Sequence, residues 1–261
     1  MTAHAPYLAL FDVDETLIEP KSMLSFLAFL AREADAAPLA PGAIARFTAA
    51  SARAPELGTS RSQLNRLYYE MFGGAPATAI SAAGARWYRE TRQAYGARFF
   101  VAAARAALTA HAAAGAEIVL VSGSFAPCLD PLVAELTAAL GGDARARLTV
   151  LSARLQLRAG IYTGALRPPQ TIGVGKRTAA AALAGRRPGI DLGQCHAYGD
   201  HISDLPLLEL VGHPHVVPRC PELTAIARER CWPVLPLDPI AIAAPPTTPH
   251  GRHREAGEPS P

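Results

Sequence analysis

The chain has 261 residues, half of them apolar and 18% charged, with a formal net charge of +3. That is ordinary globular composition, long enough for one large domain or a core with a smaller insert. The basic residues are scattered rather than gathered into a stripe, which argues against a nucleic-acid partner, and no apolar run approaches the roughly eighteen residues that a membrane span needs.

The first predicted element is the apolar run Tyr7 to Phe11, a buried strand by length and composition. It ends in Asp12 and Asp14, followed by Thr16. Residues two apart on an extended segment point the same way, so both carboxylates can address one small site. Ligands of open α/β sheets bind outside the carboxyl ends of the strands. Two carboxylates held close repel unless one is protonated or a cation lies between them. The pair therefore reads as a general acid beside a nucleophile, as a Mg²⁺ site, or as turn residues preceding a cap.

Residues 20 to 98 contain no convincing strand. Met23, Phe26, Leu27 and Leu30 follow helical spacing, Pro38 and Pro41-Gly42 break it, and a second helix is predicted over Arg61 to Phe72, stopped by Gly73-Gly74. A third runs from Ala77 into the region of Trp87, Tyr88 and Tyr95. The segment reads as a helical bundle inserted after the first strand. Its aromatic residues are expected in the bundle core, and Arg86, Arg89 and Arg92 form either a solvated stripe or a path that steers an anion.

Val101 to Ala114 is predicted as a helix, and Glu117 to Val121 as a second buried strand that stops in the polar turn Ser122-Gly123-Ser124. A helix follows, with Leu129, Leu132, Val133 and Leu136 on one face. Strand, small polar turn and helix make an anion-binding arrangement. A β-hairpin is predicted over residues 149 to 166. Gly173-Val174-Gly175-Lys176 then leads into an alanine-rich helix. It is not a phosphate-binding Walker loop, because the required first glycine and the preceding strand are missing. A short strand, Cys195 to Tyr198, runs into Gly199-Asp200 and Asp204, the latter opening a helix over Leu205 to Val211. One further strand, His215 to Val217, and a helix over Glu222 to Arg230 follow. From about residue 236 the chain lacks periodicity and reads as disordered.

The set Asp12-x-Asp14-x-Thr16, Ser122 after a strand, Lys176, and Gly199-Asp200 with Asp204 resembles the haloacid dehalogenase superfamily, within it the phosphoserine-phosphatase-like branch. The motifs span residues 8 to 217. The resemblance implies an α/β fold: a Rossmann-like parallel sheet flanked by helices, with a core over 1–19 and 99–235 and a helical cap over 20–98. It implies Asp12 as nucleophile and Asp14 as general acid and then general base, with Thr16 orienting the loop. Ser122 and the Gly123 N–H would hold the phosphoryl oxygens, and Lys176 would neutralise charge on the nucleophile and the phosphoryl group. Asp200 would bind Mg²⁺ with the Asp12 carboxylate and the Asp14 carbonyl, and Asp204 would support the metal's outer shell. In such a mechanism Asp14 must be protonated in the first half-reaction, so its surroundings are expected to raise its pKa. A dehalogenase has no leaving alkoxide to protonate, so Asp14 argues for phosphate.

Phosphoserine phosphatases carry a glutamate nine residues after the nucleophile to read the substrate's ammonium. Here that position is Lys21. Phosphoserine is therefore disfavoured, and Lys21 suits a second anionic group, a hydroxyl-rich substrate or plain solvation. His201 either contacts substrate or faces solvent, with solvent preferred. His196, His201, His213, His215 and Cys220 match no zinc spacing. The expected protein is a Mg²⁺-dependent phosphatase of a small-molecule phosphorylated metabolite, with no nucleic-acid or membrane partner, as a monomer or homodimer. A phosphotransferase using the same aspartyl-phosphate, or a non-catalytic binding module on this fold, are the alternatives. Four cysteines without a Cys-x-x-Cys pair, and an N-terminus with no basic flank, predict a reduced cytoplasmic protein without a signal peptide.

Overall fold

A computed structural model describes residues 6–33, 38–141 and 147–237. The tail predicted as disordered lies, from residue 238 onward, outside the described residues. The chain runs β1 (Leu8–Phe11), α1 (Ser22–Arg32), α2 (Ala43–Arg53), α3 (Arg61–Glu70), α4 (Ala77–Tyr95), α5 (Ala102–Ala113), β2 (Glu117–Phe125), α6 (Ala126–Leu140), β3 (Leu148–Arg158) and β4 (Ile161–Arg167). It continues through α7 (Val174–Ala184), β5 (His196–Gly199), α8 (Leu205–Leu208), β6 (His213–Val216) and α9 (Pro221–Glu229).

The six strands form one sheet in the order β4-β3-β2-β1-β5-β6, parallel except for the antiparallel pair β3–β4. All four residues of β1 are fully buried, as a strand covered on both faces requires. Ala9 and Phe11 face one apolar cluster, Leu8 and Leu10 the other. That is the period-two alternation of a strand. The chain leaves β1 toward β2 on one side and returns to β5 on the other. The switch point of this sheet, where α/β proteins hold their ligands, is therefore at the carboxyl end of β1.

Helices α1, α3 and α4 contribute Phe26, Tyr69 and Trp87, and the turn after α3 contributes Phe72, to the same buried cluster as Phe11 and Phe125 of the sheet and Leu129 of α6. The Phe26 ring lies 5.8 Å from Trp87 and 6.1 Å from Phe125. The helical segment thus shares one core with the sheet. Trp87 and Tyr88 are buried in it, as expected of the segment's aromatic residues. Helix α3 starts at a reciprocal cap between Ser60 and Gln63. No described helix is long and apolar enough to cross a membrane, and the four cysteines are free thiols.

Two elements differ from the sequence expectation. Helix α2 lies where Pro41-Gly42 suggested only a break; Ala43 and Phe47, four residues apart, form its buried face. The Ser122–Ser124 segment is extended rather than a turn. β3 continues alongside it, with Phe125 opposite Ala153 and a register shift after Val121, so the small polar residues form a bulge inside a strand.

Gly84 on α4 meets the first turn of α6 so closely that a Cβ there would overlap the Pro127 carbonyl oxygen. Gly84→Ala would gain about 1 kcal/mol of helix propensity but must push the two helices apart, an overpacking that costs typically 1–3 kcal/mol. A net loss of stability is expected in chemical denaturation.

Candidate active site

At the end of β1, the Asp12 N–H extends the ladder by donating to the Tyr198 carbonyl at 3.0 Å. The chain then turns sharply: the N–H groups of Leu17 and Ile18 both donate to the Val13 carbonyl at 2.9 and 3.0 Å, and Glu15 sits at φ +61°. A left-handed conformation is unfavourable for a residue with a Cβ, and here it closes the loop that carries both aspartates. Thr16, fully buried, donates its hydroxyl to Asp200 at 2.9 Å. The Ser22 hydroxyl, at the start of α1, donates to one Asp14 oxygen at 3.0 Å; the other, Oδ1, is buried without a partner.

The end of β5 supplies the second acidic pair. Asp204 folds back so that its carboxylate accepts the N–H groups of Asp200 and His201 at 3.3 and 3.2 Å. Gly199 makes room for this, since a Cβ there would lie 2.7 Å from the Asp204 Cβ. From the first turn of α7, Lys176 reaches both sets, donating to Asp12 and to Asp204 at 2.6 Å each. It is 5% exposed. A buried ammonium is tolerated only when paired in this way.

Asp12, Asp200 and Asp204 each offer an oxygen, all within 4.8 Å of one another, and all three residues are buried. One lysine leaves such a group short of positive charge. Burial, then the charges of Asp12 and Asp204, push the Asp200 carboxyl up to about 9. Burial and Asp204 likewise raise Asp12, against the pull of Lys176. Carboxyls in this state hold either a proton or a cation. An all-oxygen donor set suits a hard divalent ion, so the residues fit a metal of that kind. Among the described residues this is the one group of three such ligands. Asp14 is pushed up to about 7, first by desolvation and then by Asp12, with the Ser22 hydroxyl opposing. It can therefore carry a proton near neutrality, as its expected role requires.

Ser122 and Gly123 are held from behind. The Ser122 carbonyl accepts the Thr171 hydroxyl at 2.7 Å. The Gly123 carbonyl accepts the Tyr69 hydroxyl at 2.7 Å and the Asn65 amide at 3.1 Å, and Gln170 in turn donates to Asn65 at 2.7 Å. Helix α3 thus braces the Ser-Gly segment from the helical side. Ser22, Asn65, Tyr69, Gln170 and Thr171 were not singled out by sequence reasoning. No local pattern marks them, because their roles depend on which loop each one lands against.

Asp12, Asp14, Lys21, Ser122, Gly123, Lys176, Asp200 and Asp204 line one cavity of about 310 Å³. Thr16 is not part of its wall and acts through Asp200 instead. Lys21, half-exposed, pairs with Glu15 at 2.9 Å. His201 lines the cavity rather than facing away from it, its Nδ1 accepting the Ser203 N–H at 3.0 Å. Arg86 and Arg92 pair with Glu33 and Glu135 at 2.7 and 3.1 Å, away from the cavity.

The crowding of carboxylates makes a testable demand on the metal-free protein. Asp200→Asn keeps an acceptor for Thr16 and makes permanent the neutral state that Asp200, raised to about 9, reaches near pH 7 only by taking up a proton on folding. Its melting temperature without divalent ions is expected to rise above that of the wild type; a fall of several degrees would show that the three carboxylates do not repel.

A family model described as haloacid dehalogenase-like hydrolase matches residues 9–209. A Mycobacterium tuberculosis protein named "Probable phosphatase" is 36% identical over 128 residues, 49% of this chain and 41% of that protein. The chain spans about two fifths of the length of the first curated relatives it matches. Among solved structures, a protein of unknown function from Bordetella pertussis Tohama I aligns with a TM-score of 0.72 at 24% identity, over 90% of this chain and 100% of that one. A "probable phosphoserine phosphatase" from Vibrio cholerae aligns with a TM-score of 0.58 at 20% identity, over 84% and 58%. At these identities the structures share the fold.

Proposed function

The chain belongs to the haloacid dehalogenase-like hydrolases, and we propose that it is a Mg²⁺-dependent phosphatase that hydrolyses a small-molecule phosphate monoester through an aspartyl-phosphate on Asp12. The observation that carries this reading is Asp14: a carboxyl two residues from Asp12, raised to about 7 and with one buried oxygen unpartnered. A group of that kind is suited to give a proton to a leaving oxygen and then to take one from water.

In this reading an Asp12 oxygen attacks phosphorus as the ester P–O bond breaks, and the Asp14 proton goes to the departing alcohol oxygen. Asp14, now ionised, accepts a proton from water. The water oxygen attacks the aspartyl-phosphate, the bond to Asp12 breaks, and inorganic phosphate leaves. Ser122 and the Gly123 N–H hold the equatorial oxygens, and Lys176 offsets charge on Asp12 and the phosphoryl group. Phosphoryl transfer draws its rate mainly from such positioning and neutralisation. Mg²⁺, held by Asp12 and Asp200 with the Asp14 carbonyl and supported by Asp204, would supply further neutralisation of the phosphoryl oxygens.

We take residues 20–98 as the cap over a core formed by 1–19 and 99–235. Lys21 stands where an ammonium-reading glutamate would be needed and already has a partner in Glu15, which supports a substrate other than phosphoserine.

The test is phosphate release from a panel of amino-acid, sugar, nucleotide and polyol phosphates, with Mg²⁺ and with chelator. Release that requires Mg²⁺ is expected. Asp12→Asn should lower kcat at least 1,000-fold, the scale of losing a covalent nucleophile (about 4 kcal/mol), while circular dichroism stays unchanged. Near-normal turnover in that variant would refute the mechanism.

A further inference from the structure

Among the described residues the Asp14 carboxyl makes one side-chain hydrogen bond, accepting the Ser22 hydroxyl at 3.0 Å. Its other oxygen has no partner. The phosphate side of the cavity is held differently. There the Ser122 and Gly123 carbonyls accept Thr171, Tyr69 and Asn65, and Asp204 accepts two backbone N–H groups and the Lys176 ammonium. The orientation of the group assigned to proton transfer therefore hangs on a single hydroxyl.

Ser22 is fully buried and is the first residue of α1. A helix start is ordinarily closed by a side chain that accepts the free N–H groups of the first turn. Helix α1 has no such cap: Lys21 stands at that position, a residue without an acceptor, and no acidic residue lies in the first turn. The Ser22 hydroxyl donates to Asp14 instead. Local rules of this kind are broken mainly at functional positions. The start of α1 is also fixed on two sides. From behind, the Trp87 indole N–H donates to the Ser25 hydroxyl at 3.1 Å, and that hydroxyl donates to the Ser22 carbonyl at 3.3 Å. In front, Lys21 pairs with Glu15, the neighbour of Asp14, at 2.9 Å. Ser22 is thus a fixed point against which a half-buried carboxyl on the cavity wall is set.

We propose that Ser22 is a positioning residue for departure of the alcohol: its hydroxyl holds the Asp14 carboxyl in the orientation from which the Asp14 proton reaches the leaving oxygen. This inference rests on the phosphatase reading. As the Asp12 oxygen bonds to phosphorus, the ester P–O bond breaks, its electron pair stays on the alcohol oxygen, and that oxygen takes the Asp14 proton. Ser22 keeps its own hydrogen throughout. Its contribution therefore scales with the leaving group's need for a proton. An alkoxide needs one to depart; a nitrophenolate does not.

The experiment compares kcat/KM for benzyl phosphate and p-nitrophenyl phosphate in Mg²⁺, for wild type, Asp14→Asn and Ser22→Ala. This ratio covers the steps up to loss of the alcohol and is blind to hydrolysis of the aspartyl-phosphate. Asp14→Asn is expected to lower the benzyl ester about 100-fold or more, the scale of general acid catalysis, and the nitrophenyl ester far less. Ser22→Ala should follow the same pattern, with a loss of about tenfold on the benzyl ester, the cost of a misoriented group, and less than about threefold on the nitrophenyl ester. A serine that only supports the fold would lower both esters alike. Equal losses in Ser22→Ala, or an unchanged benzyl ester, overturn the inference and leave the phosphatase reading standing. Equal losses in Asp14→Asn, or a wild type that turns over the nitrophenyl ester alone, refute the acid role of Asp14 and the inference with it. Silence of the folded wild type on both esters refutes the phosphatase reading itself.

Discussion

Three buried carboxylates, those of Asp12, Asp200 and Asp204, are gathered around a single buried ammonium, that of Lys176. Everything at the carboxyl end of the sheet follows from that imbalance. Charges taken out of water are costly unless matched, and one lysine does not match three aspartates. The surroundings answer with hydrogen bonds: Thr16 to Asp200, and backbone N–H groups to Asp204. These reduce the repulsion without cancelling it, which leaves Asp200 raised to about 9. A site in that state is poised to accept positive charge. A divalent ion is suited to it.

The fold makes the crowding possible. Parallel pairing of β1 with β5 brings Asp12 and Asp200 to adjacent strand ends, with Phe11 in register with Tyr198. Helix α7 adds Lys176 in its first turn from outside the sheet. The helical segment between β1 and β2 closes the opposite side, and it does more than cover the cavity. Asn65 and Tyr69 hold the Gly123 carbonyl, and Ser22 holds Asp14. Movement of α1 or α3 would therefore be felt directly at the groups assigned to proton transfer and phosphate binding.

The acidic residues at the strand ends were legible in the sequence because each follows an apolar run with a clear boundary, and because two such pairs recur on one chain. The parallel sheet was legible for the same reason: its strands are buried on both faces and read as continuous apolar segments. Helix α2 was not, although Ala43 and Phe47 sit one turn apart on its buried face: the Pro41-Gly42 breaker that precedes it also marks where it starts, since Gly42 is its left-handed N-cap. Nor was the extended path of Ser122–Ser124, whose composition favours a turn but whose conformation is set by pairing with β3. The bracing set of Asn65, Gln170 and Thr171 escaped entirely. Polar residues on helices and loops acquire such roles only through tertiary contact, and local pattern cannot show which polar side chain will be buried against a loop.

The central claim is that the carboxylate cluster exists to be balanced by a divalent cation. Calorimetric titration of the metal-free protein with Mg²⁺ at neutral pH tests it most directly. One ion is expected to bind per chain, and the binding should be lost in Asp200→Asn. Absence of binding in the folded wild type, or binding that the Asp200→Asn variant retains in full, would contradict it.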